Sequence, residues 1–331
     1  MPDNSNTIFE GEVDIMSQEI RDLAGRLRDS ISSVIVGKEK SIDLILTAII
    51  AGGHVLIEDT PGTGKTLLAK SLAASIDADF KRVQFTPDLL PANITGLHMY
   101  NPKEAEFSFI QGPAFTNILL ADELNRATPR TQSALLECMA EGQITIDGET
   151  KALSRPFFVI ATENPIETAG TFTLPEALLD RFLMRIPMEP PVSHDELMML
   201  DRFIEDNPFD ALKPVCTKED IIEAGKICRK VFVHKCVRQY IVDIVQKTRV
   251  HSKSLLGASP RSALALLNAS QVYAAINGAD FVTPDHVKYL GKAVLAHRII
   301  LVNGSRGRRE TEEFIDEVLN SVPAPTENWE S

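Results

Sequence analysis

The sequence predicts an α/β domain built on a parallel sheet, followed by a smaller domain made only of helices. In the first 190 residues, short apolar segments alternate with helical patterns, and a glycine-rich turn joins one apolar segment to a helix. This alternation is typical of a parallel sheet covered on both faces. After Pro190-Pro191, helical patterns follow one another without a clear strand signal. We therefore expect a helical segment at 1–34, an α/β core at 35–190 and a helical domain at 191–331.

The individual elements follow from the spacing of apolar residues. After a loose tail at 1–10, residues 12–34 predict one amphipathic helix or two. Strands are predicted at 55–57, 80–85, 118–121 and 157–161. Further helices are predicted at 38–51, 65–76, 132–140, 193–205, 218–231, 237–251, 260–275 and 284–300, and a solvated helix and tail at 307–331. Two hairpins are expected, at 97–110 with a turn at Asn101-Pro102, and at 143–146 followed by Asp147-Gly148.

Charge and cysteine content exclude several classes of protein. Lys and Arg number 34 and Asp and Glu number 46, giving a net charge of −12, which argues against a general nucleic-acid binder. The most apolar stretch, 44–57, is interrupted by Gly52, Gly53 and His54 and is shorter than the roughly 20 residues that span a bilayer. No secretory signal is visible, and the four cysteines lack CxxC spacing, so we expect free thiols in a reducing cytoplasm.

The segment Gly62-Thr63-Gly64-Lys65-Thr66 stands between a predicted buried strand and a predicted helix. Glycines there let backbone N–H groups wrap a phosphate, and the helix directs its positive dipole end at it. Lys65 would reach the β- and γ-phosphates and the Thr66 hydroxyl would bind Mg²⁺. The first glycine of the usual phosphate-loop pattern is replaced by Asp59, in Asp59-Thr60-Pro61. The alternative is a chance glycine turn with an exposed lysine.

A second motif ends the predicted strand at 118–121, where Asp122 and Glu123 follow four apolar residues. Asp122 would hold Mg²⁺ directly or through water, and Glu123 would polarise the attacking water. Because strands of a parallel sheet end at one edge, this pair and the phosphate loop are expected to meet there, where ligands bind in such folds.

Three further polar residues occupy positions suited to the same chemistry. Asn164, after the strand at 157–161, can hold the water between Glu123 and the γ-phosphate. Arg181 either pairs with Asp180 or Glu176 on its own surface or is supplied in trans to a neighbour's γ-phosphate. Arg261 lies in the first turn of a predicted helix, where the helix dipole makes a cation unfavourable. It therefore needs a compensating anion, and bound nucleotide is a good candidate.

These residues, in this order, resemble the AAA+ ATPases, and several stretches resemble the MoxR family in particular (84–91, 120–127, 132–137 and 174–177). The resemblance implies a Rossmann-like αβα core with β-hairpin insertions, a helical lid, and catalytic roles for Glu123, Asn164, Arg181 and Arg261. It implies ATP and Mg²⁺ as cofactors, with Thr66 and Asp122 as the metal-binding residues. It implies a nucleotide site made of Asp59, Thr60, Pro61, Gly62, Thr63, Gly64, Lys65, Thr66, Leu67 and Asp122.

In biological terms, the resemblance implies an ATPase that assembles into a ring, usually a hexamer, and remodels or activates partner proteins in a chaperone-like way. The expected partners include proteins with a von Willebrand factor A domain. Three other classes stay open at this stage: a nucleic-acid motor, a subunit of a metal-chelatase motor, and a nucleotide-gated scaffold with negligible turnover. The net charge opposes the first, and the presence of both Glu123 and Asn164 opposes the last.

Overall fold

A five-stranded parallel sheet forms the centre of the computed structural model, which describes residues 5–58, 62–103, 105–164, 170–204 and 206–325, with side chains from residue 18 onward. In chain order the strands of this domain are β1 (His54–Glu58), β2 (Phe80–Gln84), β3 (Gly96–Asn101), β4 (Glu106–Gln111), β5 (Ile118–Asp122), β6 (Gln143–Ile146), β7 (Glu149–Ala152), β8 (Phe158–Glu163) and β9 (Phe182–Pro187). The spatial order of the central sheet is β2-β5-β8-β1-β9, and each neighbouring pair is parallel.

Helices surround the sheet and make up most of the C-terminal region. The α-helices are α1 (Ser5–Ser32), α2 (Glu39–Ile50), α3 (Lys65–Ser75), α4 (Ala92–Thr95), α5 (Pro129–Glu141), α6 (Glu176–Leu179), α7 (Ser193–Phe203), α8 (Lys218–Cys228), α9 (Lys235–Val250), α10 (Pro260–Ile276), α11 (Pro284–Leu295) and α12 (Arg308–Ser321). Short 3-10 helices lie at Leu124–Arg126, Pro208–Ala211 and Ala296–Arg298. Within the described residues, no helix combines the length and apolar character needed to cross a membrane.

The sheet is buried on both faces because its strands are apolar at consecutive positions. Val55 and Ile57 of β1 belong to one hydrophobic cluster, whereas Leu56 between them belongs to a second cluster on the opposite face. The first cluster continues through α1, α2 and α3 into α8–α12, so the C-terminal helices share a core with one face of the sheet. That shared core holds the helical lid against the domain that carries the phosphate loop.

Both predicted hairpins are present as separate two-stranded sheets, β3–β4 and β6–β7. At the turn between β6 and β7, Asp147 has φ +51° and Gly148 has φ +85°. Positive φ at both central residues is the requirement of the type I′ turn, whose twist matches that of the flanking strands. The Asp-Gly dipeptide therefore encodes this hairpin locally.

The structure differs from the sequence-based predictions in several elements. Strand β9 was not predicted, because Arg185 interrupts its short apolar run. The helical domain contains a small antiparallel ribbon, β10 (Ser254–Leu256) with β11 (Ile300–Leu301), so the helix predicted to reach 300 ends at Leu295. A single helix, α1, begins at Ser5, within the segment expected to be a loose tail. The chain thus contains more regular structure than its apolar pattern predicts.

One glycine marks a close approach between the lid and the core. Gly225, in α8, lies so near the end of α2 that a Cβ on it would stand 2.5 Å from the carbonyl oxygen of Ile50. Gly25, in α1, provides a contrast, because a Cβ there would meet nothing within 4 Å. Only a residue without a side chain lets α8 pack this closely on α2.

We predict that Gly225→Ala lowers the free energy of unfolding by about 1–3 kcal/mol, because α8 must move away from α2 to relieve the overlap. The matched variant Gly25→Ala should be neutral or up to about 1 kcal/mol more stable, since alanine is the better helix former. Denaturant unfolding of both variants measures the difference. Equal stabilities in the two variants would contradict the close contact between α8 and α2.

Candidate active site

The phosphate loop leads from the carboxyl end of β1 into the first turn of α3. Gly62 and Gly64 have φ values of +92° and +88°, which residues with a Cβ rarely adopt. A Cβ at either position would meet nothing within 4 Å, so the backbone conformation rather than packing requires glycine here. The predicted contacts Asp59, Thr60 and Pro61 lie outside the described residues.

Helix α3, which follows the loop, is anchored by its buried apolar residues. Its buried residues belong to the larger hydrophobic cluster (Leu68, Ala69, Leu72 and Ala73). Lys65 is the first residue of α3, and Lys65, Thr66 and Leu67 are all half-buried. Leu67 packs against the edge of the hydrophobic cluster. Unpaired N–H groups of a helix start attract anions, so this end of α3 is suited to a phosphate.

The acidic motif ends β5, two strands away from β1, with β8 between them. Neighbouring strands lie about 4.8 Å apart, so Asp122 and the end of β1 are separated by roughly 10 Å. The hydroxyl of Thr162, in β8, donates to Asp122 Oδ1 at 2.7 Å and accepts the backbone N–H of Glu123 at 2.8 Å. Arg82 Nη2 donates to Asp122 Oδ2 at 2.6 Å. Thr162 and Arg82 therefore orient the acidic pair.

Glu123 occupies a strained backbone conformation. Its φ of +57° and ψ of +49° lie in the left-handed region, which costs a non-glycine residue about 1–3 kcal/mol. The side chain is held by an ion pair, with Arg126 Nε 2.8 Å from Glu123 Oε2. The sharp turn after β5 thus places Glu123 beyond the end of the strand, at the same edge as Asp122.

The donor chemistry at this edge fits Mg²⁺ bound together with phosphates. Thr66 and Asp122 offer a hydroxyl and a carboxylate, the oxygen ligands that Mg²⁺ prefers, and the metal commonly completes its shell with phosphate oxygens and water. Among the described residues, no group of three or more His, Cys, Asp or Glu side chains could hold a metal without such help. A carboxylate has about four lone-pair positions, so Asp122 can accept from Thr162 and Arg82 and still bind a cation.

Asn164 follows β8 at this edge and lines a cavity of about 260 Å³ together with Glu58, Glu163 and Arg185. Glu58 and Glu163 are register partners on β1 and β8. Burial, together with the nearby Glu58 carboxylate, raises the pKa of Glu163 to about 7. Burial also raises the pKa of Glu58. The Arg185 guanidinium opposes this shift, because its Nη1 lies 3.4 Å from Glu58 Oε2. A buried group of two carboxylates and one arginine therefore adjoins the phosphate loop.

Arg181 and Arg261 lie elsewhere, at the amino edge of the sheet. Arg181 immediately precedes β9, whose first residue, Phe182, pairs with the first residue of β1, His54. A strand of five residues rises about 3.3 Å per residue, so this edge is roughly 15 Å from the phosphate loop. Arg261 Nη1 is 3.3 Å from Asp180 Oδ2, so a carboxylate of the same chain serves as the anion that its position in α10 requires. Contact of Arg261 with nucleotide stays a prediction.

The two carboxylates considered as partners for Arg181 both pair with other arginines. Asp180 Oδ1 is 3.3 Å from Arg298 Nη1, and Asp180 Oδ2 is the partner of Arg261. Glu176 Oε1 is 2.9 Å from Arg306 Nη2. Arg181 itself is half-buried. The structure therefore brings the predicted residues into two groups: 62–67, Asp122, Glu123 and Asn164 at one edge, and Arg181 with Arg261 at the other.

Sequence reasoning missed three residues that support these groups, and it considered Asp180 only as a partner for Arg181. Thr162 and Glu163 carry a hydroxyl and a carboxylate at the carboxyl end of β8, which is the signal that could have identified them, whereas Arg82 lies in the middle of β2 and gives no such signal. Each of these residues contacts a partner in another strand or helix. Those partners cannot be identified without the order of the strands in the sheet.

Comparison with known proteins is consistent with this geometry. Residues 54–184 match the family described as "ATPase family associated with various cellular activities (AAA)", and residues 246–319 match an AAA lid domain. The chain is 45% identical to YeaC of Bacillus subtilis over 94% of this chain and 97% of that protein. It is 36% identical to Chaperone MoxR1 of Mycobacterium tuberculosis over 90% of this chain and 81% of that protein.

A solved structure has the same fold. The crystal structure of a putative ATPase from Cytophaga hutchinsonii superposes with a TM-score of 0.87 at 36% identity, covering 96% of this chain and all of that one. The α/β core with its helical lid is therefore the AAA+ fold. With relatives this similar along most of its length, the chain belongs to the MoxR family of AAA+ ATPases.

Proposed function

We propose that this protein hydrolyses ATP to ADP and phosphate within a ring of its own copies, and that it uses this reaction to remodel or activate a partner protein. The family resemblance implies six copies and a partner such as a protein with a von Willebrand factor A domain. A chaperone-like role is supported by the likeness to a protein named Chaperone MoxR1. Dependence on ATP fits the cytoplasmic location that the cysteine pattern predicts.

The observation that carries this proposal is the separation of the two functional groups of residues. The phosphate loop and the acidic pair lie at the carboxyl edge of the sheet, whereas Arg181 precedes β9 at the amino edge. An arginine side chain extends about 7 Å and cannot span the roughly 15 Å that five strand residues cover. The distance supports a site completed by Arg181 of a neighbouring copy.

Charge at the amino edge supports the same arrangement. A cavity of about 240 Å³ is lined by Arg181, Arg261 and Arg298, with Asp180 as the only carboxylate among its described lining residues. Three arginines against one carboxylate leave excess positive charge, which the phosphates of a nucleotide held by a neighbouring copy would neutralise. Arg261 would then also act on the neighbouring site rather than on its own.

Each residue at the carboxyl edge has a distinct role in this reaction. Lys65 binds the β- and γ-phosphates as a point charge, and Thr66 and Asp122 hold Mg²⁺, which neutralises phosphate charge when bound. Glu123 polarises the attacking water, and Asn164 holds that water against the γ-phosphate. Thr162 holds the Asp122 side chain and the backbone of Glu123 in fixed positions relative to each other through its two hydrogen bonds.

We predict that Lys65→Ala removes most ATP binding, since a charge and a phosphate hydrogen-bond donor are lost together. Lys70→Ala is the matched control, because Lys70 is an exposed residue of the same helix. Calorimetric titration with ATP and Mg²⁺ measures both. Undiminished affinity in Lys65→Ala would contradict the phosphate-loop assignment.

We predict that Glu123→Gln binds ATP normally but lowers kcat by about 10²–10⁴-fold, the usual contribution of general acid–base catalysis. The amide keeps the shape of the side chain, and Asp122 still holds the metal. Glu141→Gln, at an exposed position on α5, is the control. Nucleotide affinity and phosphate release should be measured on the same samples, and near-normal turnover in Glu123→Gln would assign the catalytic role to another residue.

We predict that Arg181→Ala lowers turnover by about 10³–10⁵-fold, the contribution of arginine fingers in related phosphoryl transfers. Mixing Arg181→Ala with Lys65→Ala should restore part of the activity, because some interfaces then join an intact phosphate loop to an intact arginine. Subunit exchange is verified with fluorescently labelled protein. Full activity of Arg181→Ala alone, or no recovery despite exchange, would reject the role in trans.

A further inference from the structure

Arg298 contacts the chain on both sides of Arg181. It is the last residue of the 3-10 helix that follows α11 in the lid, and its side chain is only 4% exposed. Arg298 Nη2 donates to the carbonyl oxygen of Phe182 at 2.8 Å, and Nη1 lies 3.3 Å from Asp180 Oδ1. One lid side chain therefore holds the residue before Arg181 by its carboxylate and the residue after it by its backbone.

Two further lid residues hold the same segment. His297 Nε2 is 3.0 Å from the Phe182 carbonyl oxygen. Burial and the neighbouring arginines lower the pKa of His297 well below its usual value, so the ring is neutral. The hydroxyl of Ser259, which caps α10, donates to Asp180 Oδ1 at 3.3 Å. The backbone around Arg181 is thus fixed by two separate parts of the lid.

The burial of Arg298 is unfavourable in itself, which points to a role other than stability. Burial lowers the pKa of its guanidinium to about 10, although Asp180 opposes the shift. Its Nη1 makes the ion-pair contact with Asp180 but no hydrogen bond of good geometry among the described residues. An apolar side chain of similar size would fill this space without desolvating a charge. An apolar side chain, however, could not bind the Asp180 carboxylate and the Phe182 carbonyl oxygen on the two sides of Arg181.

We propose that Arg298 is a positioning residue for Arg181, so that the lid of one subunit sets the rate of ATP hydrolysis at the site of the next. This inference rests on the proposed function of Arg181 in trans. Arg298 follows α11, which packs on both β9 and α12. A displacement of the lid therefore changes the direction of Arg181 through two short contacts, without any contact between Arg298 and nucleotide.

A double-mutant cycle tests whether Arg298 acts through Arg181. Arg298→Met, which keeps the length of the side chain without its charge, should lower kcat by about 10²-fold, the effect of a small misplacement of a catalytic group. The KM for ATP should stay unchanged. In the Arg181→Ala background, Arg298→Met should cause no further loss. A full additional loss in that background would overturn the proposal, and so would unchanged kcat in the single variant.

Mixed assemblies identify the subunit on which Arg298 acts. Arg298→Met mixed with Lys65→Ala should recover activity, because intact arginines and intact phosphate loops then meet at some interfaces. The same variant mixed with Arg181→Ala should not recover, since both lack a working arginine. The reverse pattern, with recovery only in the second mixture, would mean that Arg298 acts on its own subunit's site and would overturn the proposal.

Two variants guard against a general loss of structure. Arg298→Lys can reach either Asp180 or the Phe182 carbonyl but not both, so its kcat should lie between those of Arg298→Met and the unaltered protein. Arg309→Met is the matched control: this exposed lid arginine pairs with Glu313 on α12, Arg309 Nε lying 3.0 Å from Glu313 Oε1. Its kcat should be unchanged.

Full activity of Arg181→Ala would refute the proposed function itself, whereas loss in that variant with full activity in Arg298→Met would refute only the present inference.

Discussion

All five strands of the central sheet run in the same direction, and this polarity gives the domain two chemically different edges. Backbone N–H groups, Lys65 and the acidic pair collect where the strands end, whereas Arg181 and Arg261 collect where they begin. The two groups lie at opposite ends of strands that are about five residues long. Groups that cannot meet within one molecule can meet between two, which is the geometry that the proposed head-to-tail assembly requires.

Two buried arginines connect the lid to these edges. Arg185, in β9, donates to the Thr311 hydroxyl of α12 at 2.8 Å and contacts Glu58, the residue that precedes the phosphate loop. Arg298 makes the corresponding connection at the amino edge through Asp180 and the Phe182 carbonyl. The lid is therefore linked through Arg185 to Glu58, which precedes the phosphate loop, and through Arg298 to the residues on both sides of Arg181. A domain that reaches both edges connects the end of β1 physically with the segment that carries Arg181.

Most of the fold could be predicted from the sequence because local patterns determine it. Apolar runs identify four of the five central strands, and Asp147-Gly148 alone specifies a hairpin turn. Strand β9 was missed because Arg185 breaks its apolar run, and that arginine is tolerated only because Glu58 and Thr311 lie beside it. The sequence likewise indicated that Arg261 needs an anion, and bound nucleotide was the candidate for that anion. In the structure the anion is the carboxylate of Asp180, 81 residues away in the chain. Partners that are distant in sequence depend on tertiary packing, which no local pattern encodes.

The left-handed backbone at Glu123 has a consequence for the stability of the domain. A glycine at this position would adopt the same conformation without strain, and the folded state would be more stable by a part of the 1–3 kcal/mol that the conformation costs. Glycine, however, lacks the carboxylate that the proposed mechanism uses to activate water. In that mechanism, stability and catalysis place opposite requirements on this one residue. The turn after β5 is thus a local source of instability, and the buried apolar residues of β5 and β8 beside it stabilise the domain in which it lies.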